Sequence, residues 1–215
     1  MRHWVFDFDG TLIDTDGLFT KALEYTLQPF SVTVGPEFLE QVRHKHPYRI
    51  FEDLLSQEQA DRAMQRLREI NQELNDEAQP YEGIEDVLNT LEKKKVSVSI
   101  WTGRDRESTV SILQKTNLHD YFSKILSGTC VEVNKPGLDG LLELKDHHEA
   151  EPDEMIMIGD HHHDIEPANH LGLTSVHAQW KRIPHQLPGA LAPHYTFTSV
   201  EEFHEWILEQ LKHES

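Results

Sequence analysis

The sequence predicts an α/β fold of three layers, a mainly parallel sheet covered by helices on both faces, with a small helical unit inserted after the first strand. Short apolar, β-prone runs at His3 to Phe8, Val96 to Trp101, Lys124 to Leu126, Met155 to Ile158 and Thr174 to Ala178 alternate with helical patterns. That alternation suits a parallel sheet, because each strand can reach its parallel neighbour only by a long crossover. Met155-Ile156-Met157-Ile158 is apolar at every position, as a strand buried on both faces requires. From Asp16 to about Gln79 the chain is instead highly charged and helix-forming, with no strand pattern. The predicted organisation is therefore a core of residues 1–15 and 81–215 and a helical insert of residues 16–80.

The elements follow in order. The first run ends in two aspartates separated by Phe8, which on an extended strand would share one face. Within the insert, Gln59 to Asn75 is the clearest helix. Pro80 and Gly83 are helix breakers that would return the chain to the sheet. Ile84, Val87, Leu88 and Leu91 then recur at helical spacing, and Val110, Leu113 and Leu118 do so more loosely after the turn Thr102-Gly103-Arg104-Asp105. Near the C-terminus, Ser199 and Glu202 have capping-box spacing, and Phe203, Trp206, Ile207 and Leu211 form one apolar stripe.

Composition narrows the function. Twenty basic against thirty-eight acidic side chains give a formal charge of -18, which repels polyanions and argues against nucleic acid as a partner. No apolar run approaches the roughly 20 residues that cross a bilayer, and Met1-Arg2-His3-Trp4 shows no signal pattern, so no membrane association and a cytoplasmic location are expected. Cys130, the single cysteine, has no partner for an intramolecular disulfide and lacks zinc-site spacing, so it is expected to be buried or incidental. An anionic substrate would have to be received by a metal ion and a few well-placed cations.

Candidate chemistry lies where strands end. Asp7 and Asp9 at one strand end repel unless a cation or a proton neutralises them, and Gly10 permits a tight turn there. Gly159-Asp160-His161-His162-His163-Asp164 follows another strand, at the edge where ligands bind in open α/β sheets. Asp160 and Asp164 suit magnesium, which prefers oxygen ligands. The three histidines suit a softer ion, but consecutive side chains diverge, so the expectation favours the carboxylates. Thr102, with Gly103, offers a hydroxyl and backbone donors to a phosphoryl oxygen. Lys135, in Asn134-Lys135-Pro136-Gly137, would neutralise a carboxylate and a phosphate. Arg43-His44-Lys45-His46-Pro47-Tyr48-Arg49 is the densest basic stretch. Arg49 and His46 are its candidate substrate contacts, and Pro47 is read as a loop break.

Asp7-x-Asp9-Gly-Thr11, Thr102, Lys135 and Gly159-Asp160-x-x-x-Asp164, in that order, resemble the four motifs of the haloacid dehalogenase superfamily of phosphohydrolases. The insert is similar to the helical cap of the phosphoglycolate-phosphatase and β-phosphoglucomutase type. The resemblance implies a Rossmann-like core and a phosphatase that hydrolyses a small phosphorylated metabolite, a phosphate monoester, through an aspartyl-phosphate. By it, Asp7 is the nucleophile and Asp9 the general acid and base. Thr102, Gly103 and Lys135 bind the phosphoryl group. Mg2+ takes the Asp7 and Asp160 side chains and the Asp9 backbone carbonyl, with Asp164 in support. Asp9 argues against dehalogenation, since dehalogenases of the superfamily lack an acid there. A phosphomutase of the same superfamily, and a non-catalytic phosphoacceptor or ligand-binding module, are the alternative readings.

Overall fold

A computed structural model describes residues 2–42, 47–128, 130, 133–181 and 185–212. The chain forms two compact units, one of Met1–Asp14 and Gln79–Ser215, the other of Thr15–Ala78.

In chain order, β1 (His3–Phe6) and β2 (Ile13–Asp14) open the first unit. The second unit holds α1 (Asp16–Leu27), α2 (Pro36–Val42), α3 (Pro47–Leu54) and α4 (Gln57–Leu74). The first unit resumes with β3 (Gln79–Pro80), α5 (Ile84–Lys93), β4 (Ser97–Trp101), α6 (Arg106–Lys115) and β5 (Lys124–Leu126). It ends with α7 (Asp139–His148), β6 (Met155–Gly159), α8 (His162–Leu171), β7 (Thr174–Ala178), β8 (Tyr195–Phe197) and α9 (Val200–Gln210).

The main sheet has the order β5-β4-β1-β6-β7-β8, with every neighbouring pair parallel. β1 lies in the middle, and side chains alternate across it. Val5 joins Leu141 and Leu144 of α7 and Ala168 of α8 on one face. Trp4 and Phe6 meet Phe203 of α9 on the other, with ring centroids 6.1 and 6.2 Å apart. This is the three-layer α/β/α architecture. Phe203 is fully buried beneath that aromatic group, so Phe203→Ala should cost about 3–5 kcal/mol.

The α-helices described in the second unit close on their own core, where Leu23 and Leu27 of α1 meet Phe51 of α3 and Leu67, Ile70 and Leu74 of α4. α4 begins with a capping box: the Ser56 hydroxyl accepts from the Gln59 amide and the Gln59 side chain accepts from the Ser56 amide. Such a cap contributes about 1 kcal/mol.

Several expectations are corrected. β1 stops at Phe6 rather than running to Phe8, because the Phe8 carbonyl accepts from Leu12 and Ile13 and folds the chain into a turn. β4 starts at Ser97, since the Val96 amide bonds back to Leu91. β2, β3 and β8 were not expected; the first two are residue pairs too short to carry a period, and in β8 Tyr195 and Thr196 are exposed. In α6 the buried positions are Thr109, Ile112 and Leu113, with Val110 only half-buried. Ser199 caps α9, but the Glu202 carboxylate turns to the Thr198 amide and hydroxyl instead of closing a box. Pro47 is the first residue of α3, where its missing N–H costs nothing, and residues 43–46 before it lie outside the described residues. Cys130 is exposed, 3.1 Å from the Ser127 hydroxyl. Among the described residues no helix is long and apolar enough to cross a membrane.

Candidate functional site

The site lies at the C-terminal edge of the sheet, where β1, β4 and β6 end side by side. Asp7 follows β1, and its amide still bonds the Ile158 carbonyl of β6 at 2.8 Å. Register sets Ile100 beside Phe6, so Thr102 emerges at the same edge as Asp7. Gly159 closes β6, and Asp160 follows it.

Two glycines make the crowding possible. Gly10 has φ +78, and a Cβ there would stand 2.6 Å from Asp160 Oδ2. A Cβ on Gly159 would stand 2.2 Å from Asp164 Cγ. Any larger residue would drive the carboxylates apart.

Asp7, Asp160 and Asp164 are all buried, and one carboxylate oxygen from each lies within 4.8 Å of the others. The Lys135 ammonium donates to Asp7 Oδ1 at 2.7 Å and to Asp164 Oδ1 at 2.6 Å, and it stands over the Trp101 ring at 4.8 Å. Asp164 Oδ2 accepts from the His161 amide at 3.1 Å, so this carboxylate both caps α8 and holds Lys135. Burial pushes Asp7 and Asp160 up to about 7, and their neighbouring carboxylates add to it. Lys135 on Asp7 and Lys181 on Asp160 work in the opposite direction. Burial also raises Asp164, and Lys135 opposes it. Ionised together, the three carboxylates would carry one more charge than the ammonium groups of Lys135 and Lys181 offset. This all-carboxylate donor set fits a hard divalent cation.

Asp9, whose charge helps to raise Asp7, stands near it. Its carboxylate is gripped by Arg104, with Nε at 3.2 and 3.1 Å from the two oxygens and Nη2 at 2.8 Å from Oδ1. The turn after Phe6 brings the Asp9 carboxylate to Arg104. Thr102 is corrected in part. Its amide is spent on the Leu126 carbonyl at 2.9 Å, and its hydroxyl oxygen accepts from the Arg104 amide at 3.1 Å, leaving the hydroxyl proton as its donor to a ligand.

Sequence reasoning missed Arg104, Lys181 and His177. Lys181 is buried and donates to Asp160 Oδ2 at 2.8 Å. The His185 Nε2 stands 3.6 Å from the same oxygen. Gln179 Nε2 lies 3.2 Å from His177 Nδ1, which leaves the ring proton on Nε2 to donate to the Asp160 carbonyl at 3.2 Å. Burial keeps His177 below its ordinary value, consistent with a neutral ring. Lys181 had one signal in the sequence: it lies three residues past a predicted strand, at the same edge as the aspartates. Arg49 belongs to the second unit, where it is 75% exposed and paired with Glu52 at 2.6 Å. His46 lies outside the described residues.

An aspartate directly after a central parallel strand is thus held by a buried lysine beside two further carboxylates. Residues 4–178 match the family model of the haloacid dehalogenase-like hydrolases. The chain belongs to that family and is an enzyme of its phosphatase class. Pyrophosphatase PpaX of Anoxybacillus flavithermus is 27% identical over 187 residues, covering 82% of each chain. The PpaX of Oceanobacillus iheyensis is 24% identical over 94% of each. Among solved structures, one described as a predicted phosphoglycolate phosphatase from Haemophilus somnus superposes with a TM-score of 0.87 at 16% identity, over 96% of this chain and 98% of that one. A haloacid dehalogenase-like hydrolase from Streptococcus pneumoniae does so with a TM-score of 0.83 at 22% identity, over 96% and 98%. These two likenesses show the fold.

Proposed function

We propose that this chain is a magnesium-dependent phosphatase that hydrolyses a small phosphate monoester through an aspartyl-phosphate on Asp7. One observation carries the reading: Asp7 is a buried carboxylate oriented by Lys135 within a cluster that has three carboxylates for two ammonium groups. Asp7 and Asp160, with the Asp9 carbonyl, would hold Mg2+, and Asp164 would support them. When bound, the ion offsets the charge that otherwise keeps a phosphate dianion out.

In the first half-reaction an Asp7 oxygen forms a bond to phosphorus as the bond to the leaving alkoxide breaks. Lys135, the Thr102 hydroxyl and the Gly103 amide donate to the phosphoryl oxygens. Asp9, protonated before the step, gives that proton to the leaving oxygen. In the second half-reaction a water oxygen bonds to phosphorus, the acyl phosphate breaks, and Asp9 takes the water's proton. Arg104 holds Asp9 until that exchange, so Asp9 trades part of its guanidinium contact for the leaving oxygen. His177 and Lys181 position Asp160.

Residues 1–15 and 81–215 act as the catalytic core in this reading. Residues 16–80 act as the cap, with Arg49 and His46 as candidate contacts to the leaving portion of the substrate. The names of the PpaX relatives make pyrophosphate a compound to include beside the esters. Phosphate release from an aryl phosphate, a panel of sugar and short-acid phosphates and pyrophosphate, with Mg2+ or with EDTA, tests the reading. Release undiminished by EDTA sinks the metal assignment.

A further inference from the structure

His161, His162 and His163 diverge on paper, as consecutive side chains do, but the structure folds them together. His161 is the N-cap of α8, with φ -123 and ψ 155, and His162 and His163 begin the helix. The change from extended to helical backbone at this point turns the three rings towards one another. Their centroids are 4.1, 4.4 and 4.1 Å apart, and one ring nitrogen from each lies within 4.8 Å of the others. A fourth imidazole, His185, arrives from a separate segment and packs edge-on against His161 at 4.7 Å.

We infer that His161, His162 and His163 form a binding site for a borderline divalent ion of the zinc, cobalt or nickel class, separate from the carboxylate cluster. Three imidazole nitrogens are a donor set that selects such ions over magnesium. Metal–nitrogen bonds of about 2.0–2.1 Å place tetrahedral ligands about 3.4 Å apart, so the nitrogens need to close by little more than an ångström. Rotation of half-buried rings supplies that. One bond that would compete is weak: His161 Nδ1 accepts from the His163 amide at 3.3 Å, a long contact that a metal–nitrogen bond outweighs. Three protein ligands leave a fourth position for water. A chain with a formal charge of -18 attracts the cation.

The site stands independently of the phosphatase reading, and its consequence is mechanical. His161 adjoins Asp160, and its amide holds Asp164, so an ion on the three rings clips the start of α8 between two carboxylates of the site.

The experiment uses untagged protein in millimolar Mg2+, titrated with Zn2+ by calorimetry and with Co2+ by visible absorption. Wild type is expected to bind a single equivalent of Zn2+, to gain thermal stability, and to give the intense Co2+ bands of a low-coordinate nitrogen site. The variants His162→Asn and His163→Asn, made singly and together, should lose at least about tenfold in affinity while their melting without zinc is unchanged. Asp7→Asn should bind Zn2+ like wild type. Zinc binding that survives the double histidine variant, or that disappears in Asp7→Asn or under Mg2+, would overturn the proposal by placing the ion on the carboxylates.

Discussion

Arg104 grips Asp9 through Nε and Nη2, both carboxylate oxygens falling within 3.2 Å of the guanidinium. The contact holds the Asp9 carboxyl group at a fixed place beside the site. It also sets a threshold that the general acid must pass before it can reach a leaving group. Arg104→Met removes both effects and leaves Asp9 unguided, which should lower kcat about tenfold to a hundredfold, while Arg104→Lys keeps the charge and should recover part of it. Steady-state kinetics on one aryl phosphate check this. A methionine variant with wild-type kcat shows that the pair plays no part in turnover.

Asp9→Asn probes the acid itself. A good leaving group needs little protonation, so phosphoenzyme formation should fall much less for an aryl than for an alkyl phosphate, against a general-acid contribution of about 10² to 10⁴. Rapid-quench measurement on both esters reads the difference. Equal losses rule out Asp9 as the proton donor.

The carboxylates predict how magnesium and pH act together on stability. Asp7 and Asp160 are raised to about 7 from an ordinary 3.8, so the folded protein binds protons that the unfolded chain has released. Their contribution is present at low pH and lost as pH rises from about 4 through 7. Magnesium needs the ionised carboxylates, so the rise in Tm that it produces should grow between pH 5.5 and 8. His148, held near 4 by burial, and His177 act with the opposite sign, which is why the difference with and without Mg2+ is the quantity to measure. Asp160→Asn should flatten that difference. Lys181→Met, by removing the ammonium from Asp160, should tighten Mg2+ binding several-fold at pH 8.5, measured by calorimetry. A pH-independent magnesium shift contradicts the assignment of these groups.

Substrate choice is proposed to lie in the helical unit. Arg49→Ala should raise KM several-fold for the best member of a substrate panel and leave p-nitrophenyl phosphate unchanged. Arg49 already spends its guanidinium on Glu52, an exposed pair worth at most about 1 kcal/mol, so exchanging it for a substrate carboxylate or second phosphate is inexpensive. Unchanged kinetics on both substrates assign Arg49 to the solvated surface.

The layers of the fold were legible because β6 and β1 carry their burial as continuous apolar sequence, and because crossovers between parallel strands must be helical. Asp7 and Asp160 were legible because each directly follows such a strand. What could not be read was where side chains go once the backbone leaves the sheet. The turn closed by the Phe8 carbonyl sends Asp9 to Arg104, 95 residues away, and no period encodes that. Lys181 finds Asp160 across a Gly10 that lacks a side chain, a close approach visible only in three dimensions. The histidines were read as divergent because that holds for regular backbone, and they lie at a junction where extended chain becomes helix.

The account depends above all on Asp7 becoming phosphorylated. Wild-type enzyme mixed with substrate and Mg2+, quenched within a turnover and reduced with borohydride, should yield homoserine at position 7 by peptide mass spectrometry, the product of an aspartyl-phosphate there. Asp7→Asn should give neither homoserine nor turnover. Sustained turnover by Asp7→Asn, or a phosphoryl group trapped on any other residue, would contradict it.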